Sequence, residues 1–414
     1  MIAPPHNILI VNAYGWSNRG DSALLEACLQ DVKSVFPDAR ITCATFVPAA
    51  DAPGDIAWSE RIGNARRGGA FGKGLALLRL ACAWLVVRGL KVFAPVLPHA
   101  QRRTLDAMHA ADLVISAPGG YIHDTNFSYR VALAQIDFAS ALGVPVVLAP
   151  QSLGPVRTAF GRRRAAATLK AVEAVCVREE FSRRFAQKDL ALGPTKIVST
   201  GDMAFWEDEG RTSQAGVIDG LKSDEPFVAM TTVEWRFPGA TDAKRLQAAY
   251  IASMARIADE IYDRFGLRTV ILNQVTDDIA TAQAVRACAA SPVLVDTAER
   301  STAGMRAVIG KSRLMVGARF HSCIFALAAG RPTIAISYLP KTEHIMADLG
   351  LSCRTTPIEA IDVDHVLEVI SQDLEDLDAA SAVIAQAVRD YRGRHVRFRD
   401  VLRNVTGLSA QAAA

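Results

Sequence analysis

The sequence predicts an α/β protein with two doubly wound, Rossmann-like domains that face each other across a cleft. Its 414 residues are enough to form two hydrophobic cores. Short apolar runs alternate with helical periods along the chain, which is typical of βαβ units and parallel sheets. A polar, acidic stretch interrupts this alternation once. We therefore expect an N-terminal domain at residues 1–205, a linker at 206–226, a second domain at 227–385, and a C-terminal helix and tail at 386–414.

In the first domain, the clearest signals are apolar runs that are rich in β-branched residues. They predict strands at residues 7–13, 41–46, 112–116, 144–149, 174–177 and 196–199. A helix at residues 22–36 follows the first strand, and Asp21 with Ser22 is suited to cap it. The loop between that strand and that helix contains glycine, so its backbone amides can face a ligand.

In the second domain, apolar runs and helical periods alternate in the same way. They predict strands at residues 227–233, 269–273, 293–295, 314–316 and 333–337. Helices are predicted at residues 243–265, 280–290, 301–309, 322–329 and 361–392. Asp362 and Asp364 could be read as a metal-binding Asp-x-Asp pair, but their place before a helix favours capping.

Residues 61–103 form a segment that is both apolar and basic. From residue 61 to residue 105 there is no Asp or Glu, whereas nine cations occur: Arg61, Arg66, Arg67, Lys73, Arg79, Arg88, Lys91, Arg102 and Arg103. Because aliphatic residues rather than stacking aromatics separate these cations, we do not expect nucleic-acid binding. Two alternatives stay open. The segment docks on an anionic bilayer, or it is a helix pair that covers the N-terminal sheet.

The composition indicates a globular protein from a reducing compartment. Half of the residues are hydrophobic and 21% are charged. The seven cysteines are odd in number and widely spaced, which argues against a disulfide framework and a thiolate zinc site. The start of the chain lacks a basic n-region, and no uncharged apolar run approaches the ~20 residues of a membrane-spanning helix. We therefore expect a cytoplasmic protein, peripheral at the inner face of the plasma membrane if residues 61–103 dock there.

Cationic side chains follow neighbouring strands of the second domain. Arg319 and His321 come after the strand at residues 314–316, where the next helix begins, and Lys341 comes after the strand at 333–337. Ligands of open α/β sheets bind at the carboxyl ends of strands, and helix N-termini favour anions. The pattern predicts a site for a phosphate or a carboxylate. An Arg-x-His turn by itself is more often a cap or an ion pair, and that alternative stays open.

Short motifs stand at the predicted strand ends in a defined order. They are Asn18-x-Gly20-Asp21, Gly119-Gly120 with Asp124, Gln151-Ser152-x-Gly154-Pro155, Arg178-Glu179-x-x-Ser182, Gly201-Asp202, and Arg319-Phe320-His321 with Lys341. Together they resemble the signature of the polysaccharide pyruvyl transferase family. Two facing doubly wound domains are also the GT-B architecture of many sugar-handling enzymes. The chain departs from the family pattern at Pro118, where the family often has a third glycine, and at Glu179, where it has aspartate.

The resemblance implies an enzyme that transfers the enolpyruvyl carbons of phosphoenolpyruvate onto two hydroxyls of a sugar and so forms a cyclic ketal. Arg236, Arg319 and Lys341 would bind the phosphate and the carboxylate of this donor. His321 would be the general acid and Asp124 the base. The other substrate-binding candidates are Asn18, Asp21, Gly119, Gly120, Gln151 and Arg178. No cofactor is expected besides phosphoenolpyruvate as the donor substrate, and no metal is expected because arginine and lysine can carry the phosphate charge.

The acceptor that the resemblance implies is a sugar of a polysaccharide or of a lipid-linked oligosaccharide. One alternative is a nucleotide-sugar-dependent glycosyltransferase of surface polysaccharide synthesis, since one fold can carry either chemistry. Another is a sugar- or lipid-binding protein without activity, although the presence of Arg319, His321, Lys341 and Asp124 argues against it. The sequence leaves a homodimer open.

Overall fold

The computed structural model of this chain describes residues 4–15, 18–46, 55–64, 69–125, 127–206 and 217–408. The chain forms two compact units. The first contains Met1–Trp16, Leu24–Trp206 and His395–Ala414, and the second contains Ser17–Ala23 and Glu207–Arg394. Residues 207–216 of the predicted linker lie outside the described residues.

The first unit is built on an eight-stranded sheet. Its strands are β1 (Asn7–Ala13), β2 (Arg40–Thr45), β3 (Ala57–Glu60), β4 (Leu113–Ser116), β5 (Gly119–Ile122), β6 (Val146–Leu153), β7 (Ala174–Val177) and β8 (Ile197–Ser199). They lie in the order β3-β2-β1-β4-β6-β7-β8, with β5 beside β6, and the paired strands are parallel. The helices are α1 (Arg19–Val35), whose first turn belongs to the second unit, α2 (Gly69–Val87), α3 (His99–Ala110), α4 (Ser128–Ala141), α5 (Ala159–Lys170) and α6 (Glu180–Lys188).

The strands β3 and β5 are absent from the sequence prediction. β5 contains Gly119 and Gly120, and glycine disfavours a strand when it is judged by local pattern alone. The structure extends β6 past its predicted end, so that Gln151 lies opposite Gly119 on one side and Val177 on the other. Long-range pairing therefore overrides the local pattern at the carboxyl end of this sheet.

The second unit is built on a six-stranded parallel sheet with the order β11-β10-β9-β12-β13-β14. Its strands are β9 (Phe227–Thr231), β10 (Arg268–Leu272), β11 (Leu294–Asp296), β12 (Met315–Gly317), β13 (Thr333–Ser337) and β14 (Thr355–Pro357). Its helices are α7 (Ala243–Phe265), α8 (Ile279–Cys288), α9 (Thr302–Lys311), α10 (Phe320–Ala328), α11 (Pro340–Asp348), α12 (Val363–Glu375) and α13 (Leu377–Gly393). This sheet and its helices confirm the predicted α/β class.

Capping side chains explain where the helices of the second unit begin and end. α7 matches its prediction residue for residue, because Asp242 caps its start and Gly266, with φ 65°, ends it. The single helix predicted at residues 361–392 is wrong: Asp376 leaves the helical conformation and caps a second helix, α13. Asp362 accepts a hydrogen bond from the His365 backbone N–H at 3.1 Å, which confirms that it caps α12.

The C-terminal segment returns to the first unit. The backbone N–H of Val396 donates to the carbonyl of Ser199 at 3.0 Å, which extends the hydrogen bonding of β8. Helix α14 (Phe398–Val405) then buries Phe398, Val401 and Leu402 against the sheet. The C-terminal segment therefore packs onto the sheet of the first unit.

Helix α2 leaves an apolar stripe exposed. Phe71, Leu77, Leu78 and Trp84 have exposed fractions of 68, 48, 52 and 40%, whereas residues on the opposite side, such as Ala83, are buried. By length and composition alone this helix could cross a membrane, and only 28% of its most apolar 18-residue stretch is buried. The two alternatives for residues 61–103 therefore concern different sides of this helix. Docking on a bilayer would use the exposed side, and covering the sheet would use the buried side.

The cations of residues 61–103 do not all face solvent. Arg61 is 3% exposed, and Arg79 turns inward to donate from Nη1 to the carbonyl of Asn64. Arg66 and Arg67 lie outside the described residues. The exposed cations of the described part of this segment are Lys73, Arg88, Lys91 and Arg103.

Candidate active site

Three predicted cations follow three adjacent strands of the second sheet. β9 lies next to β12, and β12 lies next to β13. Arg236 comes after β9, Arg319 is the N-cap residue of α10 after β12, and Lys341 is in the first turn of α11 after β13. Parallel strands all end at the same edge of a sheet, so the structure places the three positions along one edge, where such folds bind ligands.

Arg319 already has a carboxylate partner, Asp278. Its Nε and Nη2 donate to the two carboxylate oxygens at 2.6 Å each, and the Asp278 side chain is 1% exposed. Burial alone would lower the pKa of Arg319, but its hydrogen bonds to Asp278, the charge of Asp278 and the interactions with Tyr338 together outweigh this effect and hold the pKa above its ordinary value. Arg319 is therefore always charged and held in one orientation. Its side chain is 16% exposed, and the buried carboxylate of Asp278 balances its charge.

Asp278 was missed by the sequence reasoning. It stands in the loop after β10, and its Oδ1 also accepts a hydrogen bond from the Glu234 backbone N–H at 2.8 Å. One carboxylate thus connects the loops that follow β9, β10 and β12. The adjacent Asp277 and Asp278 just past a predicted strand were the available signal, because acidic residues at strand ends often pair with cations there.

Lys341 and Arg236 differ in how firmly the structure holds them. The Lys341 Nζ lies 5.0 Å from the centre of the Phe320 ring, a cation–π distance, and the residue is half-buried. The Arg236 side chain is 88% exposed, and its Nη2 is 3.2 Å from the Glu234 carboxylate. An exposed pair of this kind contributes little energy, so Arg236 is less fixed than the other two cations.

His321 is 6% exposed and lies in the first turn of α10. Its imidazole packs edge-on against Phe320, with ring centres 5.0 Å apart. On another side it lies against Gly20 of α1, so closely that a Cβ at position 20 would overlap the imidazole Nδ1. His321 is thus held between an aromatic ring and a backbone that approaches closely because it carries no side chain.

The Asn18-x-Gly20-Asp21 motif belongs to the same site as the Arg-Phe-His motif. Asn18 Oδ1 accepts a hydrogen bond from Gln274 Nε2 at 3.1 Å, and Gln274 Oε1 accepts one from Ser322 Oγ at 2.6 Å. Asn18 falls within the predicted N-terminal domain, but Ser17–Ala23 belongs to the second unit. Gln274, which the sequence reasoning also missed, joins the two motifs.

Asn18, rather than Asp21 and Ser22, caps the start of α1. The helix begins at Arg19, and the Asn18 side chain accepts a hydrogen bond from the Gly20 backbone N–H at 3.0 Å. The Ser22 backbone N–H donates to the Asn18 carbonyl at 2.9 Å. Asp21 lies in the first turn, where its charge favours the helix dipole. The predicted cap is therefore wrong by one helical turn.

We expect Gly20→Ala to lower turnover ~10-fold or more, because the new methyl group would displace the imidazole of His321 from its present position. The KM for the donor should change less than kcat. The matched control is Gly74→Ala, since a Cβ on Gly74 meets no atom within 4 Å. Steady-state kinetics of both variants test the expectation, and equal kcat values would contradict it.

In the first unit, Asp124 is engaged by backbone. Its Oδ2 accepts hydrogen bonds from the N–H groups of Arg157 and Thr158, at 2.7 and 3.2 Å. Thr158 is the N-cap residue of α5, so this carboxylate fixes the loop that enters the helix. The half-buried side chain follows β5, at the carboxyl end of the first sheet. Its use as a base stays a prediction.

Arg178 is placed as a structural residue, which corrects its expected contact with substrate. It is 1% exposed, its Nη1 donates to Asp202 Oδ2 at 2.9 Å, and its Nε donates to Ser152 Oγ at 3.1 Å. Glu179 completes the cluster, and burial raises the pKa of its carboxyl group although Arg178 opposes this shift. A Cβ on Gly120 would lie 3.3 Å from Arg178 Nη2, so Gly120 makes room for the cluster.

Gln151 is likewise internal. It is fully buried, and its Nε2 donates to the Ala117 carbonyl and, at 2.9 Å, to the Tyr121 hydroxyl. These bonds tie β6 to the loop that leads into β5, where Gly119 stands. In the part of the chain that the structure describes, no group of three or more His, Cys, Asp or Glu side chains is arranged to hold a metal ion.

The chain is similar to known proteins over most of its length. The model of the polysaccharide pyruvyl transferase family matches residues 18–340. The amylovoran biosynthesis protein AmsJ of Erwinia amylovora is 21% identical over 410 residues, which cover 93% of this chain and 96% of AmsJ.

Solved structures support the fold. A glycotransferase of kitacinnamycin aligns with a TM-score of 0.56 and 14% identity, over 98% of this chain and 100% of its own. WaaG, a glycosyltransferase involved in lipopolysaccharide biosynthesis, aligns with a TM-score of 0.52 and 13% identity, over 97% of this chain and 100% of its own. At such identities the likeness shows the fold alone, and that fold is GT-B-like, as predicted.

Proposed function

Because the chain belongs to the polysaccharide pyruvyl transferase family, we propose that it uses phosphoenolpyruvate to form a cyclic pyruvate ketal on a sugar. The enzyme is a transferase of polysaccharide biosynthesis, and its acceptor is a sugar or polysaccharide. The donor, the ketal and the lipid linkage of the acceptor are the proposed part.

The grouping of Arg319, His321 and Lys341 around Phe320 carries this proposal. Phe320 has the Lys341 ammonium over its ring and the His321 imidazole at its edge. The site therefore offers two cations and one imidazole at the end of a parallel sheet. Phosphoenolpyruvate carries a phosphate and a carboxylate, which suit the cations, and a methylene carbon that needs a proton, which suits the imidazole.

The reaction balances with these residues. His321 gives a proton to the methylene carbon of phosphoenolpyruvate, which leaves an oxocarbenium-like centre at the neighbouring carbon. A sugar hydroxyl forms a C–O bond to that centre, and Asp124 accepts its proton. The C–O bond to phosphate then breaks, Asp124 passes its proton to the departing phosphate, which leaves as hydrogen phosphate, and the second hydroxyl adds to the oxocarbenium-like centre that forms again. The proton of that hydroxyl restores His321. Arg319 and Lys341 stabilise the negative charge of the donor throughout.

An assay of phosphate release tests the proposal. Inorganic phosphate should appear from phosphoenolpyruvate only when a suitable acceptor is present, and a panel of lipid-linked oligosaccharides would identify that acceptor. Nucleotide sugars are tested in parallel. Release of a nucleoside diphosphate, without use of phosphoenolpyruvate, would contradict the proposal and indicate a glycosyltransferase.

We also propose that α2 holds the enzyme on a cytoplasmic, anionic membrane surface near a lipid-linked acceptor. Phe71, Leu77 and Trp84 offer exposed apolar area, and Lys73, Arg88 and Lys91 are exposed cations in and just after the same helix. An apolar stripe flanked by cations suits the headgroup region of an anionic bilayer. Association of this kind is reversible and weakens with salt.

We expect charge reversal of Lys73, Arg88 and Lys91 to Glu to abolish flotation with anionic liposomes. Each cation near the surface contributes ~1 kcal/mol, so the three together contribute ~3 kcal/mol, or roughly 100-fold in binding. Binding of the unmodified protein should need anionic lipid and should fall as salt rises.

The matched control for this flotation test reverses three exposed cations elsewhere, Lys170, Lys188 and Lys222. That variant should float like the unmodified protein. Equal recovery with neutral and anionic liposomes, or loss of binding in the control variant as well, would contradict a specific role for α2.

A further inference from the structure

Arg61 is a buried cation that has no carboxylate partner among the described residues. It follows β3, and its backbone N–H donates to the Thr45 carbonyl at 2.9 Å, so the first sheet fixes its position. The residue is 3% exposed, and its Nε has no hydrogen-bond partner in the described part of the chain. Of the side chains described there, its Nη atoms reach only the Ser128 hydroxyl, at 3.4 and 3.5 Å.

The other neighbours of Arg61 are aromatic. Its guanidinium carbon lies 4.9 Å from the centre of the Phe46 ring, and the Tyr14 hydroxyl donates to Ser128 Oγ at 3.4 Å. Burial lowers the pKa of Arg61. Desolvating an unpaired guanidinium costs free energy, so a position like this one is expected where an anion later binds.

Arg61 lines a cavity of about 190 Å³ within the first unit. The cavity is also lined by Ser128, by Lys73, and by Gly69 and Gly72 in the first turn of α2. The first backbone N–H groups of a helix have no partner within the helix and favour anions. The volume is below that of typical sites for drug-sized ligands, so the cavity suits a small anionic group.

We propose that this cavity is a phosphate-binding site that holds the diphosphate of a lipid-linked acceptor, through Arg61, Lys73 and the N-terminus of α2. The assignment of the ligand as an acceptor rests on the proposed function, whereas the binding of phosphate does not. Arginine and helix N–H groups are the usual partners of phosphate oxygens in proteins.

The position of α2 is the reason to choose a lipid-linked ligand. The first turn of this helix lines the cavity, and Phe71, Leu77, Leu78 and Trp84 are exposed along the same helix. Phe71 lies in the turn that lines the cavity, so the remainder of a ligand whose anionic group enters the cavity can reach the exposed apolar residues that begin there. A diphosphate that carries a prenyl chain has both parts, whereas a soluble phosphate has only the first.

Calorimetry with inorganic pyrophosphate tests the phosphate site. Arg61→Met is expected to weaken pyrophosphate binding ~10-fold or more, while Arg61→Lys keeps a measurable part of it. Binding of phosphoenolpyruvate to Arg61→Met should be unchanged. Pyrophosphate affinity equal to that of the unmodified protein in Arg61→Met would overturn the proposal.

Thermal unfolding separates a binding role from a structural one. Because no carboxylate among the described residues pairs with Arg61, Arg61→Met should leave Tm unchanged or raise it. The matched control is Arg300→Met, since Arg300 is a buried arginine whose Nε donates to Asp296 at 2.7 Å, and its loss should lower Tm without changing pyrophosphate binding. A fall in Tm for Arg61→Met as large as that for Arg300→Met would mark Arg61 as structural and overturn the proposal.

A third measurement identifies the source of the phosphate. Farnesyl diphosphate should bind at least ~10-fold more tightly than pyrophosphate, because its chain adds apolar burial along α2. Equal or weaker binding would overturn the lipid-linked assignment. These binding experiments do not depend on turnover. A failure to release phosphate from phosphoenolpyruvate would therefore refute the proposed function without contradicting the proposed phosphate site.

Discussion

Replacing His321 by Gln should lower turnover ~100-fold or more while the fold stays intact, because the enzyme would lose the group that protonates the methylene carbon. The imidazole is buried, packs on Phe320 and lies against Gly20, so water cannot easily take its place. Glutamine retains hydrogen bonding and similar volume but cannot donate a proton at neutral pH.

Single-turnover kinetics and the KM for phosphoenolpyruvate together decide this prediction. An acid that acts only on the chemical step affects kcat more than binding, so KM should change little. The control variant is His109→Gln, in which the histidine is exposed at the end of α3. Near-normal kcat in His321→Gln would remove this residue from the mechanism.

Replacing Arg319 by Ala should weaken phosphoenolpyruvate binding by ~1.5–3 kcal/mol, the usual range for a hydrogen bond to a charged group. The same change should also destabilise the fold by ~3–5 kcal/mol, because it leaves the carboxylate of Asp278 buried without its cation. The two effects have different causes, and a second substitution can separate them.

Arg319→Ala combined with Asp278→Asn should recover most of the stability and none of the binding. The double variant removes the unpaired buried charge of Asp278 but does not restore a cation that can bind the donor. Denaturant unfolding measures the first effect and calorimetry with phosphoenolpyruvate the second. A double variant that is no more stable than Arg319→Ala, or a single variant with unchanged affinity, would contradict this account of the ion pair.

The sequence determined the elements whose signals are local. The helix α7 and the strand β13 appear at their predicted residues, because hydrophobic periodicity and flanking caps act within a few residues. Local patterns also correctly predicted that Arg319 stands at the start of a helix and that Lys341 stands just after a strand. The order of motifs at strand ends was also sufficient to indicate the family.

Only the tertiary structure decided which of these residues share a site. Asn18 and Gln274 are 256 positions apart, and no local pattern predicts their hydrogen bond. Local patterns also fail to predict the ion pairs of Asp278 and Arg178, since the partner of each stands on a different loop. Partners of this kind depend on strand order in the sheet, which is a property of the whole fold.

Burial separates cations that are equivalent in the sequence. Arg61 and Lys73 both belong to one acid-free segment, yet the first is enclosed beside aromatic rings and the second is exposed. The sequence by itself determined the charge of this segment and the apolar character of α2. The packing of β3 and α2 decided which charges are desolvated, and desolvation is what turns an ordinary surface cation into a candidate ligand-binding group.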